Sequence, residues 1–369
     1  MYETRIRKVR EVLSTKGFDA LLVSIEENRR YLSGFTGEDH QFDESAGALL
    51  ITADQLILTT DSRFESQAAA ESPLFEVVVY RKGLPKELPS LVERLKIRKL
   101  AVESARISVH QYKAFQKELN AAGPGVELVP TMDLVEQFRL IKSSDEIDQT
   151  LKALELAETA FSDVVRTLRS GMTEKQIAWS LESALRQAGA DGLSFPVIVA
   201  SGPNSALPHA IPTERPVSPG EPILFDWGVR LGGYCSDTSR TVILGEPDQD
   251  FLQVFDTVLE AQQLAIATIR AGVNSKAVDA VARDYIGSKG YGDKFGHGLG
   301  HGTGLAIHEG PRLSPLKETV LETGMLVTVE PGIYLPHWGG VRIENQVVVR
   351  ENGPQVLNRL PTTFEIHRF

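Results

Sequence analysis

The apolar positions of the first 130 residues change period several times. In "TRIRKVREVLSTKG", Ile6, Val9, Val12 and Leu13 recur at helical spacing, and Gly17 stands where such a helix stops. The runs "FDALLVS", "GALLIT", "QLILTT", "FEVVVY" and "KLAVE" are short and apolar and predict strands. "LPSLVERLK" and "SVHQYKAFQKELN" predict helices, and "AAGPGVELVP" predicts a loop followed by a short strand. Strands alternating with helices in this way imply an α/β unit built on a mixed sheet.

Further along, Ser143 with Glu146 and Thr173 with Gln176 form two capping boxes, each opening a helical pattern. "RLIKSSDE" leaves the first sheet and enters the first of these helices, which puts a domain boundary near residue 142. The chain therefore divides into 1–142 and 143–369. In the second part, "FPVIVAS", "PILFDWGVRL", "GYCSDTSRTVIL", "MLVTVEPGIYL" and "VRIENQVVVR" predict strands, with helices around 248–270 and 275–289. Short turns between the strands favour an antiparallel sheet with helices packed on it. The whole chain reads as α+β.

With 369 residues, two domains are the natural division. Acidic residues outnumber basic ones by 49 to 39, a formal charge of −10, which argues against a general nucleic-acid or anionic-membrane binder. The one cysteine, Cys235, permits no intrachain disulfide and suggests a reducing cytoplasm. No apolar run resembles a signal peptide or a bilayer span, so a soluble protein is expected.

The chemistry concentrates in the second part. Gly232 and Gly233 separate two apolar-rich runs and predict a two-residue hairpin turn. That turn places Asp226 opposite Ser239 and Asp237 opposite Gly228, with both aspartates on one face as diagonal neighbours. Aspartate is depleted inside strands, and two carboxylates aimed at one spot need a cation or a proton between them. Glu330 ends another apolar strand, and Glu344 lies inside a third, on the face shared by Arg342 and Gln346.

"HGLGHGTGLAIHEGPR", residues 297 to 312, adds three of the eight histidines, with four glycines between the first and the last. Glycine serves where a backbone bends unusually or approaches something closely. Four carboxylates and an imidazole suit two divalent cations, manganese, cobalt, iron or zinc, which together can activate a water for hydrolysis.

The succession "DWG" at 226–228, "SDTSRT" at 236–241, "GHGLGHGTGLAIHE" at 296–309, "VEPGIY" at 329–334 and "VRIEN" at 341–345 resembles the dinuclear "pita-bread" metallopeptidases. "YLSGFTG" at 31–37 and "RLIKSSDEI" at 139–147 resemble the extra creatinase-like domain of the Xaa-Pro aminopeptidase and prolidase branch. "EDHQFDE" at 38–44 departs from that pattern as an insertion: a modified pocket rim, a subunit contact, or only a longer surface loop.

The resemblance implies an N-terminal creatinase-like domain and a pita-bread catalytic domain. It implies five metal ligands, Asp226, Asp237, His301, Glu330 and Glu344, holding two divalent ions, with manganese ahead of cobalt, zinc and iron. Glu330 would also move the proton. His308 and His209 would hydrogen-bond the substrate and its tetrahedral intermediate, and His297 would line the pocket. Arg342 would orient the acids beside it.

The implied activity is cleavage of an N-terminal Xaa-Pro bond by a cytoplasmic homodimer. The alternative is an Xaa-Pro dipeptidase, for which Arg312 is the candidate partner of the substrate carboxylate. A metal-free relative that binds peptide or runs creatinase-like chemistry would be signalled by a missing ligand, and none is missing. His40, His110, His337 and His367 carry no assigned role.

Overall fold

The computed structural model describes the chain except residues 40, 42, 43, 124, 364, 365, 368 and 369. His40 and part of the 38–44 insertion thus lie outside the described residues, as does the His367 side chain. The chain forms two compact units, Met1–Phe138 and Arg139–Phe369. The family-type segment "RLIKSS" opens the second.

The first unit is a six-stranded mixed sheet. Its order is Glu76–Val79, Leu56–Thr60, Ala48–Thr52, Ala20–Val23, Lys99–Glu103, Glu127–Thr131. Ala48–Thr52 runs antiparallel to both neighbours, and the other pairs are parallel. The opening helix, Tyr2–Lys16, stops at Gly17, whose φ of 67° is left-handed as such a stop requires. Helices Leu84–Arg94 and Val109–Ala121 bury Leu88, Leu91 and Phe115 against Leu22, Leu50 and Val102. Two short helices, Glu26–Ser33 and Glu65–Glu71, have no counterpart in the apolar pattern. In the first, Arg29 is fully buried and paired with Asp39 at 2.9 Å, so polar residues occupy core-facing turns. Asp39 also accepts from the Ala46 N–H, so the start of the 38–44 insertion is tied down.

In the second unit, both capping boxes close as expected, at the starts of Ser144–Val165 and Glu174–Gln187. These helices pack through Phe161, Ile177 and Leu181 onto Val199, Phe225 and Val242. The strands beneath are Ile198–Ser201, Pro222–Trp227 and Thr238–Leu244, antiparallel throughout, with Ile366–His367 added in parallel at the edge. Gln249–Thr268 and Ser275–Ser288 pack on another sheet, which includes Gly300–Gly302, Glu309–Leu313, Leu326–Val329 and Asn345–Arg350. Two helix pairs covering two sheets, antiparallel but for the Ile366–His367 edge, make this half α+β, with helices on the outside.

Four predicted strands break. "MLVTVEPGIYL" divides at Glu330 and Pro331, and "VRIENQVVVR" at Ile343 and Glu344, so Glu344 lies between two strands and not inside one. "PILFDWGVRL" divides at Gly228 and "GYCSDTSRTVIL" divides at Ser236 and Asp237. A Cβ on Gly228 would lie 2.0 Å from the Ser236 carbonyl oxygen, so the two chains approach there without a side chain between them. The Asp237 N–H leaves the hairpin and donates to Gln346 Oε1 at 3.1 Å. The break at Ser236 and Asp237 therefore turns Asp237 toward a strand from the other sheet.

Candidate active site

The hairpin turn forms at Gly232 and Gly233, with left-handed φ of 58° and 88°, and pairs Leu231 with Tyr234. Continuing that register pairs Asp226 with Ser239, as the turn dictates. Glu344 arrives from far along the chain. Its N–H donates to the Ser239 carbonyl at 3.1 Å, and its Oε2 accepts from the Ser239 hydroxyl at 2.9 Å. Asp226, Asp237 and Glu344 thereby offer carboxylate oxygens within 4.8 Å of one another.

His301 and Glu330 complete the cluster from the second sheet. His301 Nε2 lies 3.6 Å from Asp237 Oδ2 and 3.3 Å from Glu330 Oε1. Its Nδ1 is 3.0 Å from the Gly302 carbonyl, which only accepts. The ring proton therefore sits on Nδ1 and the Nε2 lone pair faces the carboxylates. Burial holds this imidazole neutral, with its pKa lowered to about 3. The Thr328 hydroxyl accepts from the His301 N–H at 3.0 Å and donates to Glu330 Oε1 at 3.1 Å, locking the two together.

The glycines around His301 serve close approach. None from 296 to 304 has a left-handed φ. A Cβ on Gly300 would meet the Thr328 carbonyl oxygen at 2.0 Å, and one on Gly302 the Gly310 carbonyl oxygen at 2.0 Å. Bare backbone is what lets His301 sit between two neighbouring strands.

Arg342 organises the acids from one side. It donates to Asp226 Oδ2 at 2.6 Å, to the Ser239 hydroxyl at 2.8 Å, to the Tyr334 hydroxyl at 2.9 Å and to the Pro208 carbonyl at 3.2 Å. Tyr334 passes the contact on: its hydroxyl lies 2.9 Å from His297 Nε2, while His297 Nδ1 donates to the Gly298 carbonyl. Tyr334 and Thr328 look like ordinary strand residues in the sequence, which singles out neither; Ser239 and Gln346 enter it only as neighbours of Asp226 and Glu344, with no part of their own.

Such crowding needs compensation. Burial first, then the neighbouring carboxylates, raise Asp237 and Glu344 well above the ordinary range. Burial raises Asp226 despite Arg342 and pushes Glu330 up to about 7. Asp226 Oδ1 and Glu344 Oε1 are buried with no hydrogen-bond partner. Unpartnered anionic oxygens converging with one free imidazole nitrogen are the donor set that divalent cations take. The residues fit a metal centre.

A cavity of about 510 Å³ opens onto this cluster. Asp226, Asp237, His301, Glu330 and Arg342 form its floor, and Glu344 lies behind them. His209, His297, His308 and Arg312 also line it. The His308 and His301 rings stand edge to face, 4.3 Å between centroids. Arg312 pairs with His301 across the strand ladder and is exposed. Among the described residues, no side chain forms an ion pair or hydrogen bond with it. Phe195, Ile198, Ile211 and Ile307 supply an apolar wall. His110 and His337 take no part in this cavity.

The profile of metallopeptidase family M24 matches residues 148–351, and that of the creatinase/prolidase N-terminal domain matches 5–141. The Bacillus subtilis protein described as uncharacterized peptidase YqhT is 38% identical over 97% of this chain and 98% of its own. A structure described as an Xaa-Pro dipeptidase from Bacillus anthracis shares 38% identity, covers 100% of both chains and superposes with a TM-score of 0.93. A structure described as an X-Pro aminopeptidase from Thermotoga maritima shares 39% identity over 96% of this chain and 98% of its own, with a TM-score of 0.85. No helix among the described residues is long and apolar enough to cross a membrane. With fold, carboxylate cluster and both profiles in agreement, the chain belongs to metallopeptidase family M24 and carries a creatinase/prolidase-type N-terminal domain.

Proposed function

We propose that this protein hydrolyses Xaa-Pro peptide bonds, and that its preferred substrate is the free dipeptide. The observation that carries the dipeptide reading is Arg312. Its guanidinium lines the cavity four residues beyond His308 and, among the described residues, has no hydrogen-bond or ion-pair partner. A forked cation so placed suits the carboxylate that directly follows proline in a dipeptide.

Asp226, Asp237, His301, Glu330 and Glu344 would hold two divalent ions, manganese first. When bound, such ions supply Lewis acidity and a water acidified enough to attack an amide. Glu330 takes the proton from the attacking water and delivers it to the leaving proline nitrogen. That nitrogen belongs to a tertiary amide without an N–H, so the site needs no acceptor facing it. His308 and His209 donate to the carbonyl oxygen as it gains charge. The apolar wall of Phe195, Ile198 and Ile307 suits the pyrrolidine ring. Arg342 keeps Asp226 oriented through the bond from Nη2 to Oδ2, its other donors being fixed on Ser239, Tyr334 and Pro208.

An aminopeptidase acting on longer Xaa-Pro peptides is the second reading. The exposure of Arg312 favours it, since a chain continuing past proline would have an exit toward solvent. The reading includes a homodimer, supported by the family resemblance alone, and a cytoplasmic location, supported by a single, buried cysteine.

The test is to strip the protein of metal, restore Mn²⁺, Co²⁺ or Zn²⁺, and assay a matched Xaa-Pro dipeptide and Xaa-Pro-Xaa tripeptide, with Glu330→Gln as control. Metal-dependent cleavage of the dipeptide alone supports the first reading, and of the tripeptide alone the second. No cleavage of either by metal-loaded protein removes both.

A further inference from the structure

Glu309 follows His308 directly, yet its side chain is no part of the cavity wall. It is 7% exposed and is gripped by Arg139 Nη2 and, at 3.0 Å, by Lys142 Nζ. The Arg139 and Lys142 side chains are themselves only 6% and 2% exposed. Glu309 Oε1 also accepts from the Ala306 N–H at 3.0 Å. A Cβ on Gly304 would stand 2.8 Å from either carboxylate oxygen, so Gly304 makes the room for this carboxylate. The segment between Gly300–Gly302 and Glu309–Leu313 is irregular, and it carries His308.

The cations are anchored in turn. The Lys142 N–H donates to the Gly324 carbonyl at 2.8 Å, and Ile141 bridges Met325. Both lie on the turn that feeds the strand leading to Glu330. Three buried charges are expensive to desolvate and are kept where geometry matters. Burial by itself would raise the Glu309 pKa, but Lys142 and Arg139 outweigh it and hold it at about 2. The grip therefore persists across the neutral range.

We infer that Glu309, clamped by Arg139 and Lys142, is the positioning residue for His308: the buried ion triad fixes the 303–309 loop so that the imidazole is presented to the cavity. The segment "RLIKSS" thus serves the catalytic unit itself as well as opening it. The inference rests on the proposed part of His308 in Xaa-Pro hydrolysis.

The experiment compares Glu309→Gln and Lys142→Met in the full-length, Mn²⁺-loaded protein on an Xaa-Pro dipeptide. Lys142→Met leaves a charge-balanced Arg139–Glu309 pair and decides the matter if Glu309→Gln fails to fold. The expected result is a kcat lowered about ten- to hundredfold in Glu309→Gln, and less in Lys142→Met, with KM changed less than kcat. In a His308→Ala background either change should alter kcat by about twofold or less, while in His209→Ala the loss should be undiminished. Amide exchange over 303–309, read without substrate, should accelerate in both variants. Equal losses in both histidine backgrounds, or unchanged kcat and exchange in folded Lys142→Met, overturn the assignment. A wild-type protein inert on all Xaa-Pro peptides defeats the proposed reaction instead, and the exchange measurement then decides whether the clamp exists.

Discussion

Arg342 and Asp226 meet at 2.6 Å through a single carboxylate oxygen, Oδ2, and the other oxygen of Asp226 is left buried without a partner. The guanidinium thus orients the aspartate and neutralises part of its charge while leaving one lone-pair face toward Asp237 and Glu344. Its remaining donors go to Ser239, Tyr334 and Pro208, so one side chain registers two strands, the His297 contact and the loop of His209.

Arg342→Lys keeps the charge and loses the fork. Mn²⁺ affinity should fall about ten- to hundredfold, the usual effect of removing a group that orients a metal ligand. Calorimetric titration of the metal-stripped protein measures it. An unchanged affinity would show that Asp226 is held well enough by its strand.

Gly300→Ala puts a methyl 2.0 Å from the Thr328 carbonyl oxygen, and Thr328 bonds both His301 and Glu330. A loss of about 1–3 kcal/mol in stability is expected from the forced shift, together with weaker metal binding. Gly296→Ala is the internal control: nothing lies within 4 Å of its Cβ position and its φ is not left-handed. Thermal unfolding should separate the two, and equal behaviour would remove close approach as the reason for glycine at 300.

The Glu309 triad has a pH signature. Its folded pKa of about 2 lies below the ordinary 4.5, so on acidification the unfolded chain takes up this proton first. The stabilisation is complete above about pH 4.5 and declines as pH falls toward 2; it amounts to about 3 kcal/mol. Urea unfolding of wild type and Glu309→Gln should therefore converge as pH is lowered through that window. A gap that stays constant would mean that the charge of Glu309 contributes nothing.

Arg312→Gln should raise KM for an Xaa-Pro dipeptide about ten- to hundredfold, corresponding to a charge-assisted hydrogen bond of about 1.5–3 kcal/mol. The same dipeptide capped as a C-terminal amide should respond little. Equal changes for both substrates would remove Arg312 as the carboxylate partner.

What the sequence determined by itself was local. Apolar spacing marked the Tyr2–Lys16 helix, the capping boxes marked two more, and the Gly232–Gly233 turn dictated that Asp226 faces Ser239. These follow from backbone geometry and neighbours within a few residues, which spacing records. The short helix Glu26–Ser33 escaped because its fully buried Arg29 and Asn28 satisfy themselves with distant acids, a pairing invisible to an apolar count.

Tertiary structure alone decided the rest. Glu344 reaches Ser239 across 105 residues, and Glu309 reaches Lys142 across 167. It also made Tyr334 the link between Arg342 and His297, and it turned Asp237 out of its hairpin toward Gln346. A polar side chain buried from water must find its partner wherever the packed chain supplies one, and separation along the sequence places no limit on that search.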